Sequence, residues 1–296
     1  MDRATDTAVE LILCIMLLFG VYSLWDSRQV YQTADAANYV AYRPDADEGV
    51  GFAELRRLNP EVFAWLTVND TPIDYPMTRT DNNEKYINTD AKGEYTLSGS
   101  IFLDYRNSPD FDDFNSIIYG HHMEKRMMFG SLSDFADRAY FDGHPYGNLF
   151  FNGANHGIDF FAVVLTDAYD DDLFTPAVRD SAEREQYLAY IADHAIHRRE
   201  IEVGPEDQLV VLTTCTSEIT NGRYLLIGKL CDEVHLHPVP ERPAVNHGTG
   251  VTIQTAQLTA VPLWTWLLGL AVLIALLIIV ERKSRRGKQN KEELLP

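Results

Sequence analysis

Cysteine is scarce in this chain and so are clustered basic residues. Of three cysteines in 296 residues, Cys14 lies in an apolar run, which leaves Cys215 and Cys231 in the polar part. Two cysteines do not make a disulfide framework, and without a C-x-x-C pair there is no sign of a zinc knuckle or a thioredoxin-like redox site. One free, reactive thiol is the economical reading, and no metal or other cofactor is expected. Lys and Arg number 25 against 44 Asp and Glu, a formal net charge of −19, and the basic residues gather only near the C-terminus. A phosphate-binding surface needs clustered Lys and Arg, so nucleic acid is not an expected partner. Asp110, Asp112 and Asp113 lack the glycine and terminal glutamate of an EF-hand loop and read as a solvated turn. No internal repeat is present.

Long hydrophobic runs number only two. Residues 8–25 are apolar apart from Glu10, and Tyr22-Ser23-Leu24-Trp25-Asp26 offers no small-x-small cleavage pattern, so an uncleaved signal anchor is expected. Residues 261–280 carry no charge, have Trp264 and Trp266 at one border, and precede Arg282, Lys283, Arg285, Arg286, Lys288 and Lys291. That basic tail predicts a cytoplasmic C-terminus, hence a cytoplasmic N-terminus as well and an extracellular segment between two spans. The expected order is a cytoplasmic N-terminus (1–7), a signal anchor (8–25), a polar and partly helical stalk (26–50), a folded domain (51–237), a Pro-rich polar linker (238–260), a second span (261–280) and a basic tail (281–296). About 200 residues outside the membrane suit one domain.

Within that domain the periodicity is mostly that of short strands. Phe52, Leu55 and Leu58 sit at helical spacing and Asn59-Pro60 ends their helix. Strands are predicted at residues 62–68, 73–77, 99–104, 116–120, 158–166, 209–214 and 224–230, with a short helix over 128–135. Residues 180–196 form the best amphipathic helix, with Asp180 or Ser181 to cap it, Glu183 placed as a capping-box partner of Asp180, and a stripe of Tyr187, Leu188, Ile191 and Ala195. The fold class is therefore mainly β with a few helices, and a closed or nearly closed barrel would hide its strand edges.

The predicted strand over 209–214 runs into Cys215, between Thr213-Thr214 and Thr216-Ser217. Alone, such a cysteine is more often a small buried hydrophobe than a nucleophile. A thiolate needs a neighbouring cation or His to form near neutral pH, and the oxyanion it generates needs a donor. Gly120-His121-His122 follows a strand on a glycine turn, and Arg223 opens the strand after the cysteine, its planar fork of donors suited to a carbonyl oxygen. Together they make a Cys/His/Arg constellation. Pairing Cys231 with Cys215 would abolish the nucleophile, so Cys231 reads as a buried or strand-end thiol. His235 and His237, without a third ligand in view, read as surface residues.

Val211-Leu212-Thr213-Thr214-Cys215 resembles the T-L-x-T-C signature of sortases, with Val in the first place. Tyr119-Gly120-His121-His122-Met123 with Met128-Phe129-Gly130-Ser131-Leu132 resembles the histidine segment of class B sortases. Asn59 through Leu66, Ile73-Asp74-Tyr75-Pro76 and Gly99 through Asp104 resemble further class B segments in the same order. The resemblance covers about 52–230 and implies a sortase-like closed β-barrel flanked here by two transmembrane helices. It implies Cys215 as nucleophile, His121 as general acid/base and Arg223 as the oxyanion-stabilising or substrate-positioning cation. His122, Thr214 and Glu218 are candidate substrate-binding residues, although Ser217 replaces an aromatic often found before Glu218.

The implied reaction is transpeptidation. A thioacyl intermediate forms at the Thr of an N-P-x-T-x-like sorting motif of a secreted protein, and an amine of a cell-wall precursor or a pilin lysine resolves it. A thiol peptidase that releases its substrate by hydrolysis, and a catalytically silent membrane-tethered binding module, are the alternatives. The second span departs from the usual class B pattern and is commoner among pilin-polymerising class C enzymes.

Overall fold

The nearly continuous apolar run Val62–Val68 gives the first strand, β1, and the Asn69 to Pro72 turn leads into β2 (Asp74–Thr78). The others are β3 (Ile101–Leu103), β4 (Asn115–Tyr119), β5 (Tyr146–Phe151), β6 (Ala154–Asp167), β7 (Ala195–Arg198), β8 (Leu209–Cys215) and β9 (Gly222–Cys231). The helices are α1 (Arg3–Ala34), α2 (Val50–Leu58), α3 (Arg138–Gly143), α4 (Asp171–Phe174) and α5 (Ser181–His194), with short 3₁₀ turns between. These elements come from a computed structural model that describes residues 3–44, 50–215 and 221–235.

The strand order β5-β1-β2-β3-β4-β8-β9-β6, with β5 also pairing to β6, closes an eight-stranded barrel, as the sequence predicts. β7 pairs only with β6, outside the ring. β4 and β8 run parallel while β8 and β9 are antiparallel. Alternation along the strands splits their residues between two apolar clusters. Ile118, Val210, Leu212 and Leu226 join the larger one, which fills the barrel with Leu66, Tyr75, Met77 and Phe129. Ile117, Val211, Leu225 and Ile227 turn the other way, onto Tyr187 and Ile191 of α5. At about 25 cal/mol per Å² of apolar surface buried, α5 is held chiefly by these two side chains. Asp180 caps it as predicted, accepting from the backbone N–H groups of Ala182 and Glu183.

Three local readings change. The helix predicted to reach 196 stops at His194, because β6 captures Ala195 to Arg198 as a strand through Val164↔Ala195 and Ala162↔Arg198. β5 has no counterpart in the sequence reading, and Leu58 is half exposed, whereas Phe52 and Leu55 are buried.

Two units are distinguished: one whose described residues are 3–29, and one, Val30–Pro243, that holds the barrel. Val9–Ala34 of α1 is long and apolar enough to cross a membrane, and none of its most apolar window is buried within the protein. Residues 26–44, read from the sequence as stalk, include the last turns of that helix and two 3₁₀ turns. Ala34 and Tyr39 are buried in the larger cluster, and Tyr75 Oη donates to the Ala34 carbonyl at 2.9 Å. The predicted linker over 238–260, the second span over 261–280 and the basic tail lie outside the described residues.

Candidate active site

Cys215 is the last residue of β8, and its Cα partner on β9 is Arg223. On the other side of β8, Tyr119 of β4 is level with Thr213, and Gly120 N–H donates to the Thr213 carbonyl at 3.2 Å. Two residues further along these parallel chains stand His121 and Cys215. Adjacent strands lie about 4.8 Å apart, so β4, β8 and β9 deliver the histidine, the cysteine and the arginine to one end of the sheet.

Packing explains why His121 follows a glycine. A Cβ on Gly120 would come within 2.6 Å of the Phe129 ring and of Ile101 Cδ1, both belonging to buried residues. The chain then turns outward, and the His121 carbonyl accepts from Phe129 N–H at 3.0 Å. His121 is half-buried, with Nε2 2.8 Å from the Ile87 carbonyl. A carbonyl only accepts, so Nε2 carries the proton of that bond and Nδ1 is the nitrogen left to exchange one. His122 is exposed and pairs through its backbone with Met128.

Arg223 is half-buried and sits in register with Thr166 of β6 as well as with Cys215. Its Nη1 donates to the Gly222 carbonyl at 3.1 Å. Thr213 and Thr214 are buried, and their hydroxyls have no partner among the described residues. Glu218 lies outside the described residues.

The end of β4 is held by a residue that the motif reading passed over. Asp104, fully buried just after β3, accepts from Tyr119 Oη at 3.1 Å, from Asn83 Nδ2 at 3.0 Å, and from Arg106 through its backbone N–H, Nε and Nη2. Burial alone would raise its pKa, but the Arg106 guanidinium and these donors outweigh it and hold the carboxyl below its usual range. A buried aspartate closing an apolar strand was the available signal.

A sortase B of Listeria monocytogenes is 34% identical to this chain over 209 residues, covering 69% of this chain and 82% of that protein. The chain belongs to the class B sortases. It is a sortase-type cysteine transpeptidase. No family model matches the chain. Among solved structures, sortase B from the type II pilus of Streptococcus pneumoniae is 40% identical with a TM-score of 0.55, and covers 62% of this chain and 99% of its own. A Streptococcus pyogenes class B sortase involved in pilus biogenesis is also 40% identical, with a TM-score of 0.57 and coverage of 62% and 98%.

One further cluster corrects the sequence reading. His235 is not without companions, because Asp159 and Cys231 place one donor atom each within 4.8 Å of its ring nitrogen and of each other. Strand pairing, invisible in the spacing of the sequence, assembles it at the end of β9 remote from Arg223.

Proposed function

We propose that this sortase is a two-pass membrane protein whose extracellular domain joins secreted proteins to an amine, with Cys215 as nucleophile, His121 as general acid/base and Arg223 as the oxyanion-binding cation. The Cys215 thiolate adds to the carbonyl carbon after the Thr of an N-P-x-T-x-like sorting motif. As the peptide C–N bond breaks, protonated His121 gives its proton to the leaving amine and a thioester remains. The acceptor amine attacks that thioester, the C–S bond breaks, and the amine's proton returns to His121. Arg223 offers its fork of N–H donors to the negative oxygen of each tetrahedral intermediate.

The observation that carries this reading is the register that pairs Cys215 with Arg223, with His121 two residues past Tyr119, which pairs with Thr213. Likeness to two pilus enzymes at 40% identity favours a pilin lysine over a cell-wall precursor as the acceptor. The apolar stretch of α1 supports an anchor over 8–25, and the charge-free run over 261–280 with its basic tail supports the second span. His122, Thr214 and Glu218 are assigned to shaping the substrate groove.

Purified protein incubated with a quenched N-P-x-T-x peptide and an amine tests the reading. Cleavage should be accompanied by an amide adduct and a trapped thioester, and all three should vanish in Cys215→Ala. Undiminished cleavage by that variant would sink the assignment, and product limited to the free acid would make the enzyme a hydrolase. Alkylation of single engineered cysteines from outside the cell tests the topology: labelling beyond residue 281 contradicts two spans.

A further inference from the structure

At the far end of β9 from Arg223, three side chains with metal-binding chemistry converge. At about 3.3 Å per residue, the length of β9 separates Cys231 from Arg223 by roughly 25 Å, so this cluster is not part of the transpeptidase site. Cys231 ends β9 opposite Gly157 of β6, and Asp159 lies two residues further along β6. His235 comes back to them on the chain that leaves β9.

The geometry is specific. His235 Nε2 lies 2.8 Å from Asp159 Oδ1 and 3.8 Å from Cys231 Sγ, which also approaches the Glu233 carbonyl at 3.5 Å. A Cys-His-Asp catalytic relay uses opposite nitrogens of the imidazole, one for the thiol and one for the carboxylate. Here both neighbours meet the same nitrogen. Moreover, Asp159 Oδ1 is inaccessible to solvent and receives no hydrogen bond, even with Nε2 2.8 Å away. An ion pair of a protonated ring with the carboxylate would give the same 2.8 Å contact, and so do two ligands that share a cation.

Bonds of about 2.3 Å to sulfur and about 2.0–2.1 Å to nitrogen or oxygen put tetrahedral neighbours roughly 3.3–3.6 Å apart, and the two separations bracket that range.

The site is built, not incidental. The His235 ring stacks on Tyr146, centroids 4.0 Å apart. Its backbone is clamped on both sides by Asn148, whose Oδ1 accepts from His235 N–H and whose Nδ2 donates to the His235 carbonyl, each at 2.9 Å. Gly157 leaves room for the thiol, since a Cβ there would lie 2.9 Å from Cys231 Sγ and closer still to the Glu233 carbonyl. All three donor residues are half-buried, not sealed in the core.

We propose that Asp159, Cys231 and His235 bind a divalent transition metal, zinc being the ion that a sulfur, nitrogen and oxygen donor set fits best. The Cys231 thiol gives up its proton to solvent as the metal–sulfur bond forms, and water completes the coordination. The ion pins the chain after β9 onto β6.

Cobalt is the probe, because it takes zinc sites and reports thiolate ligation in its spectrum. Untagged full-length protein in detergent, stripped with a chelator, should develop a thiolate-to-cobalt charge-transfer band that saturates at one equivalent and is displaced by zinc. The band should persist in Cys215→Ala and vanish in Cys231→Ala. His235→Ala and Asp159→Asn should each weaken zinc binding at least about tenfold in competition with a chromophoric chelator. Zinc should also raise the unfolding midpoint of the wild type but not of His235→Ala. Absence of the band in wild type, its survival in Cys231→Ala, or its loss only in Cys215→Ala overturns the proposal. Should Cys231→Ala fail to fold, unchanged zinc affinity in both His235→Ala and Asp159→Asn overturns it equally.

Discussion

Cys215 and Arg223 are opposed across the antiparallel pair of β8 and β9, which fixes their Cα atoms at about 4.5–5.5 Å. A cation placed by strand register, not by a loop, costs little reorganisation when charge develops beside it. Arg223→Ala should therefore lower kcat on the sorting peptide by about 10²–10³-fold, the usual effect of removing one oxyanion donor, with an unfolding midpoint near that of wild type. Arg223→Lys keeps the charge but not the planar fork and should recover only part of the rate. Turnover by Arg223→Ala within about twofold of wild type would remove Arg223 from the chemistry.

The two histidines should separate cleanly. His121 follows the end of β4 by two residues and is oriented by the Ile87 carbonyl, whereas His122 is exposed. Loss of a general acid/base costs about 10²–10⁴-fold, so His121→Ala should fall in that range while His122→Ala stays within about tenfold. The reverse ranking, measured as kcat at saturating peptide, would move the acid/base role to His122.

Gly120→Ala should injure both stability and activity. The added methyl meets the Phe129 ring and Ile101 at 2.6 Å, and overpacking of a filled core costs about 1–3 kcal/mol. Relief requires the chain at Gly120 to move, and His121 with it. Chemical denaturation should show a lower midpoint, and kcat should drop beyond what the folded fraction accounts for. A variant as stable and active as wild type would contradict the packing described.

Asp104 gives a pH dependence with a definite sign. Its folded-state pKa lies below the unfolded value of about 3.9, so its stabilisation is fully present above that value. It is lost as pH falls through the folded value. Asp104→Ala leaves Tyr119, Asn83 and the half-exposed Arg106 without their acceptor and should destabilise by about 2–3 kcal/mol at neutral pH. The gap between wild type and variant should shrink below about pH 4. A gap that widens on acidification would show that the carboxylate is not the stabilising form.

Much of this was legible in the sequence wherever one element decides its own conformation. β1 has the bounds its apolar run predicts, and α5 is capped by Asp180, one of its two candidate caps. What escaped was decided between elements. β5 is joined to β6 by Asn152-Gly153, both with positive φ, a two-residue hairpin signal; its flanking strands alternate too weakly to stand out alone. Ala195 continues the helical stripe in sequence but is claimed by β6. The motif T-C and the pair Gly120-His121 named the residues proposed for the site, while Asp104, Asn83 and Tyr119 became a network only when β3 and β4 paired.

The parallel pairing of β4 with β8 has one more consequence. His121 and Cys215 are separated by about a third of the chain, and contacts so distant in sequence are slow to form and are made late. Since β9 must also dock before Arg223 meets Cys215, no N-terminal fragment carries the full triad. If these three residues act as proposed, a nascent chain gains its activity only after synthesis has passed residue 223, and the order of the strands sets that time.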